Sequence, residues 1–155
     1  MTGTARAARF AAAYALLRAS ATIADHWLQT THQAACKGWH DGDVDATGAA
    51  RTSAEGRRAC AAHVATYTAA QGAALLLGSR VLGLRLRPQA VVCALALSGA
   101  THYVADRRRP LKKLADRVGK APFYSLTSNG MNGAYQLDQA FHHAMETAAA
   151  VIAAR

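Results

Sequence analysis

The chain's 155 residues and 16.3 kDa suffice for one hydrophobic core and not for two, so a single helical domain over residues 1–155 is expected. Hydrophobic residues make up 52% but aromatics only 6%, and with three prolines and abundant Ala the composition favours long, closely packed helices and an all-α class. A net charge of +9 favours anionic partners, and three cysteines without a CxxC pair argue against a disulfide framework or a zinc ribbon.

Helix one is expected from about Ala5 to Cys36, with Gly38 as its stop. The Gly- and Asp-rich stretch Gly38 to Gly56 reads as a surface loop. Its Asp41, Asp43 and Asp45 alternate as in a calcium loop, but the Gly at the sixth place and the Glu at the twelfth are absent. Helix two is expected from about Arg57 to Val81. A tight connector, Gly83 to Arg87, leads to Pro88 in the first turn of helix three, which runs to about Arg109. Pro110 ends that helix or opens a short extra one through Val118, closed by Gly119. Lys120 to Gly133 reads as a loop and Ala134 to Ala154 as helix four. The expected architecture is an antiparallel four-helix bundle with a short extra helix between helices three and four.

Met1 to Arg9 places basic residues before an apolar stretch, but Arg18 and Asp25 interrupt that stretch and no clean signal peptide results. Reduced thiols at Cys36, Cys60 and Cys93 and a cytoplasmic location are expected, a Cys36–Cys60 bridge being the alternative. Segments Ala59 to Leu77 and Gln89 to Ala105 approach membrane-spanning length, yet they are rich in Ala, carry His63, Gln71 and His102, and show no one-sided excess of basic residues. A soluble bundle is therefore expected, with peripheral or integral membrane association as the alternative.

Four polar pairs stand out: Asp25/Gln29, His63/Tyr67, His102/Asp106 and Asp138/His142. Each spans one helical turn, so both members share a face. In an up-down-up-down bundle all four pairs fall at the same end, beneath the long loops. Taken singly, such a pair reads as a buried hydrogen bond; together they read as one polar centre. Three imidazoles and three carboxylates suit a divalent metal (zinc, manganese or iron), in a mononuclear or dinuclear arrangement. Asp25, His63, His102, Asp106, Asp138 and His142 are the candidate metal ligands, and Asp25, Asp106 and Asp138 the candidate catalytic groups. Gln29, His32, Lys37, Tyr67, Arg107 and Arg109 are the candidate substrate-binding residues. Arg109, three residues past Asp106, is expected to reach back over the centre, while His26 reads as a packing or surface residue and Trp27 and Trp39 as packing residues and not a stacking platform.

These residues support a metal-dependent, hydrolase-like protein that acts on or binds a phosphate-containing anion. The alternative is a basic helical adaptor for nucleic acid or an acidic protein, possibly membrane-associated, whose polar cluster is structural. No P-loop, GxGxxG, GxSxG or HExxH motif is present, and the basic run from Arg107 to Lys120 carries no interleaved aromatics.

The ordered set Asp25-His26-Trp27-Leu28-Gln29, Lys37, His63, His102-Tyr103-Val104-Ala105-Asp106 and Asp138-Gln139-Ala140-Phe141-His142 resembles the bacterial and phage family catalogued as domain of unknown function 3307. The resemblance covers most of the chain in order. It implies a small helical protein, of a kind often predicted to be membrane-embedded, and supplies no activity. The chain departs from the family pattern at Ala21, where members often carry His, and at Arg109, where they often carry Lys.

Overall fold

In a computed structural model, which describes residues 3–155, the chain is all-helical. The helices are α1 (Gly3–Ile23), α2 (Thr31–Cys36), α3 (Ser53–Leu82), α4 (Pro88–Asp106), α5 (Arg109–Arg117), α6 (Ala121–Tyr124) and α7 (Gly133–Ala153), with a π-helical turn at Ala24–Leu28. Among the described residues there is no strand, only an isolated antiparallel bridge between Val44 and Ala50. The long helices α1, α3, α4 and α7 pack in a closed circuit, α1 and α4 each lying against both α3 and α7.

The expected first helix is divided. Beyond Ile23 the backbone widens into the π turn, where Gln29 N–H donates to Ala24 O at 2.9 Å, and Gln29 itself is extended. Thr30 then opens α2 through a capping box: its hydroxyl accepts from Gln33 N–H while the Gln33 side chain accepts from Thr30 N–H. A second capping box, Thr52 with Glu55, starts α3 at Ser53, four residues ahead of the expected Arg57. α4 stops at Asp106 and not at Arg109, and α6 forms inside the expected loop Lys120 to Gly133.

Small side chains make the core. Ala13, Leu17, Leu75, Ala94, Ala149, Ala150 and Ala153 are fully buried together, and Ala at five of these seven positions lets the helices approach closely. The middles of α3 and α4 are free of charged side chains. α3 has no Asp, Glu, Lys or Arg between Arg58 and Arg80, nor does α4 between Arg87 and Asp106. Exposed apolar residues such as Leu76, Leu77, Val92 and Val104 lie on these stretches. No helix among the described residues is long and apolar enough to cross a membrane.

The loop between α2 and α3 is held by its own acids. Asp41 accepts from Ser53 N–H at 2.8 Å, Asp43 from His40 N–H at 2.7 Å, and Asp45 from Thr47 and Ala49 N–H and from Arg51. Hydrogen bonds from Ser53 lower the Asp41 carboxyl, and the Arg51 contact, first, and the Thr47 hydroxyl, next, lower that of Asp45. Trp39 belongs to the same loop, with the Arg51 guanidinium 4.7 Å from its ring centroid. Because Thr52 provides two hydrogen bonds that start α3, Thr52→Ala should lower the unfolding free energy by about 0.5–2 kcal/mol. Denaturant unfolding at constant m-value measures this, and an unchanged midpoint would show that the cap contributes nothing.

Candidate metal centre

The π turn, α3 and α4 bring four donor atoms to one buried point. His63 Nε2 and His102 Nε2 face each other at 2.9 Å. Asp25 Oδ1 lies 3.2 Å from His63 Nε2 and 3.4 Å from His102 Nε2. Asp106 Oδ2 completes the set, 3.4 Å from His63 Nε2 and 3.2 Å from His102 Nε2. A tetrahedral ion with ligands at about 2.0–2.2 Å places its ligand atoms about 3.3–3.6 Å apart. Five of the six separations, 2.9 to 3.4 Å, are close to that spacing and slightly tighter, while Asp25 and Asp106 fall in different three-residue ligand groups. Two imidazole nitrogens this close repel unless a proton or a cation lies between them.

The hydrogen-bond inventory points the same way. Asp25 Oδ1 and Asp106 Oδ2 are buried without a well-aligned donor among the described residues, and each would lose several kcal/mol of hydration if left so. A cation shared by both oxygens and both Nε2 atoms satisfies all four. The cluster could therefore hold a metal ion, and two overlapping groups of compatible ligands exist: Asp25, His63 and His102, and His102, Asp106 and His142.

Asp106 is the hinge between those groups. Its second oxygen, Oδ1, accepts from Lys37 Nζ at 2.9 Å and lies 3.9 Å from His142 Nε2. His142 Nε2 is in turn 3.3 Å from Asp138 Oδ2. Rings stack along this line: Tyr67 on His102 with centroids 3.8 Å apart, and His102 on His142 at 4.2 Å.

Burial and charge oppose each other at Asp25, His102, Asp106 and His142. Burial by itself would raise the Asp106 carboxyl, but contact with His102 and the charge of Lys37 outweigh it and hold the group well below its usual range. Asp25 is lowered by the same balance, against burial, through His63, His102, His142 and Lys37. Burial is the largest effect at His102 and pushes it below its ordinary value despite Asp106. At His142 burial is overcome by Asp138, Asp106 and Asp25, and the ring is raised.

A cavity of about 500 Å³ opens over the centre. Asp25, Gln29, Lys37, Asp106, Asp138 and His142 line it, together with Arg108 and Tyr124. Gln29 Nε2 is buried here without a partner among the described residues.

Several candidate substrate residues lie elsewhere. Tyr67 is buried, its hydroxyl donating to Glu146 Oε1 at 2.9 Å, and it does not line the cavity. His32 is exposed and meets only Cys36, at 3.5 Å. Arg109 does not reach back over the centre: its guanidinium is 55% exposed and pairs with Asp43 at 3.4 Å. Arg107 is buried but serves the loop, donating to Lys37 O at 2.7 Å and Trp39 O at 2.6 Å. The physical reason is the end of α4 at Asp106, since helical spacing no longer applies beyond it. Arg108 turns the corner with φ of +58°, rare for a residue with a side chain, and so becomes the arginine that borders the cavity. Gly38 makes room for it, because a Cβ there would lie 2.5 Å from Arg108 Cδ. Trp27, expected to pack, is 84% exposed, and Cys36, Cys60 and Cys93 are all free thiols.

A buried tail of the centre escaped the pairwise reading. Glu146 takes Tyr67 on one oxygen and Arg18 Nη1, at 2.5 Å, on the other, while Gln71 Nε2 donates to Tyr67 OH at 3.1 Å. The signal was present, since His63/Tyr67/Gln71 and Asp138/His142/Glu146 each extend the four-residue spacing by one more turn. Ala21 packs fully buried with Ala24 and Tyr67. No family model, curated protein or solved structure matches the chain, so the family resemblance rests on its motifs.

The raised His142 gives a pH test with a definite sign. Its ionic contribution to the apoprotein is fully present below the ordinary histidine value of 6.5 and is lost as pH rises through the higher folded value. In chelator, the stability lost on His142→Gln should therefore be larger at pH 5.5 than at pH 9. Equal losses at both pH values would remove His142 from the charged network.

Proposed function

We propose that the protein binds one divalent metal ion through Asp25, His63, His102 and Asp106 and uses it in hydrolysis of a phosphate-containing anionic substrate. The observation that carries this reading is the convergence of four donor atoms, two of them buried carboxylate oxygens with no aligned donor, beside a cavity with a cationic wall. We take α1, α3, α4 and α7 as an antiparallel bundle with the centre at the end that bears the long loops.

A divalent ion at this place would act as a Lewis acid, lowering the pKa of water and polarising a phosphoryl oxygen. Four protein ligands around zinc leave no free position, whereas manganese or iron with two carboxylates accepts further ligands. Asp25 stands at the open side, on the π turn at the cavity edge, where such a position would lie; π turns recur at functional sites. Asp138, 23% exposed and 3.3 Å from His142, is placed to take a proton from water, with His142 spreading the charge. Lys37 and Arg108 attract and orient the phosphate, and Gln29 Nε2 offers a neutral donor.

Tag-free protein loaded with manganese, iron or zinc should hydrolyse a simple phosphate ester such as p-nitrophenyl phosphate or its bis ester, and chelation should abolish the activity. Arg108→Ala should raise KM about tenfold or more, the worth of a lost charge-assisted hydrogen bond, while Arg109→Ala should leave it within twofold. Equal effects of the two substitutions would contradict the placement of Arg108.

One observation favours the adaptor reading. Arg6, Arg9, Arg87 and Arg155 line a second cavity of about 740 Å³ that carries no acidic side chain. If the metal-loaded protein binds long nucleic acid with a steep salt dependence and turns over no phosphate ester, the adaptor reading replaces the hydrolase.

A further inference from the structure

Asp106 divides its two oxygens between two kinds of cation site. Oδ2 belongs to the four-donor set, whereas Oδ1 faces His142 Nε2 at 3.9 Å, and that nitrogen faces Asp138 Oδ2 at 3.3 Å. Two carboxylate oxygens, one from α4 and one from α7, thus flank a single imidazole nitrogen, and these are donor types that bind divalent ions. Carboxylates that bridge two ions about 3.5–4 Å apart are the usual plan of two-metal hydrolytic centres. Here a cation is already present: Lys37 Nζ sits 2.9 Å from Asp106 Oδ1.

We propose that Asp106 Oδ1, Asp138 and His142 form a second divalent-cation site whose charge is supplied in the native chain by the Lys37 ammonium. The centre is thus a one-metal-plus-ammonium version of a two-metal centre. This rests on the reading of Asp25, His63, His102 and Asp106 as the first metal site.

Three features support it. Lys37 is anchored for this task and does not reach in from a flexible surface. It ends α2 as the C-cap, its carbonyl is held by Arg107 Nη1 at 2.7 Å, and its side chain is only 15% exposed. Charge is also matched. Asp25, Asp106 and Asp138 bring three negative charges, and with His142 neutral, as a metal ligand must be, one divalent ion plus one ammonium balance them. Finally, the second position lies on the cavity, because Lys37, Asp106, Asp138 and His142 all line it. A phosphate entering there meets the ammonium on one side and the first ion on the other, which suits a substrate with a dianionic terminal phosphate. A lysine cannot lower the pKa of a bound water as a metal ion can, so the ammonium holds and neutralises the substrate without activating a second water.

The test is metal stoichiometry of tag-free protein, stripped with chelator and titrated with Mn(II) or Zn(II), with bound metal measured after gel filtration. The parent should bind one ion per chain. Lys37→Met, which keeps the apolar stem and removes the charge, should bind two. The double variant Lys37→Met, Asp138→Asn should return to one. Lys37→Gln serves as a second variant should the Met form misfold, and circular dichroism checks each protein. In chelator the Lys37→Met protein should melt below the parent and recover only with the second equivalent of metal. One ion in the parent and still one in both Lys37 variants overturns the second site while leaving the first intact. Two ions in the parent overturn the role of Lys37. No ion in the parent overturns the metal reading itself.

Discussion

The carboxylate of Asp106 is the point on which the rest of the structure depends. At the last residue of α4 it touches, through two oxygens, groups from α3, α4 itself, α7 and the end of α2. A buried charge is tolerated only where opposite charge and hydrogen bonds replace lost water, and here Lys37 supplies them at Oδ1 while Oδ2 faces two imidazoles without an aligned donor. The helices must therefore meet at this level. Ala along their cores permits the approach, and the loops close over the result.

Irregular backbone surrounds the centre while regular helix carries the apolar half. The π turn places Asp25, the corner at Arg108 directs a guanidinium to the cavity, and the capping boxes at Thr30 and Thr52 bound the loop that Arg107 holds down. Gly56 belongs to this clasp, since a Cβ there would collide with the Trp39 carbonyl oxygen and the Arg107 guanidinium. Such departures cost conformational energy, and they collect where a site has to be shaped. At the other end α1, α3, α4 and α7 need only close packing, and Ala13, Ala94, Ala149 and Leu75 supply it.

The all-helical class and the grouping of His63, His102, Asp106, Asp25, Asp138 and His142 were legible in the sequence because both follow from period: Ala-rich stretches make helices, and residues four apart share a face. Helical arithmetic failed where the helix itself failed. Arg109 was placed by continuing α4 three residues beyond its end, and helix one was drawn through a π turn and a fresh start at Thr30. The Thr30/Gln33 and Thr52/Glu55 capping boxes were written in the chain and would have corrected the second of these errors and the start of α3. Nothing local announced the corner at Arg108, whose side chain lies against Gly38 of another segment. The Glu146–Arg18 pair was hidden for a different reason: its members are 128 residues apart and neither lies one turn from the other.

Whether the four converging atoms hold a metal ion is measured most directly by anomalous diffraction from crystals of tag-free protein grown with manganese or zinc. The account predicts a single strong anomalous peak among His63 Nε2, His102 Nε2, Asp25 Oδ1 and Asp106 Oδ2, at about 2.0–2.2 Å from each. A map with no peak there, or with His63 and His102 joined only through a proton and the carboxylates turned to other donors, would contradict it.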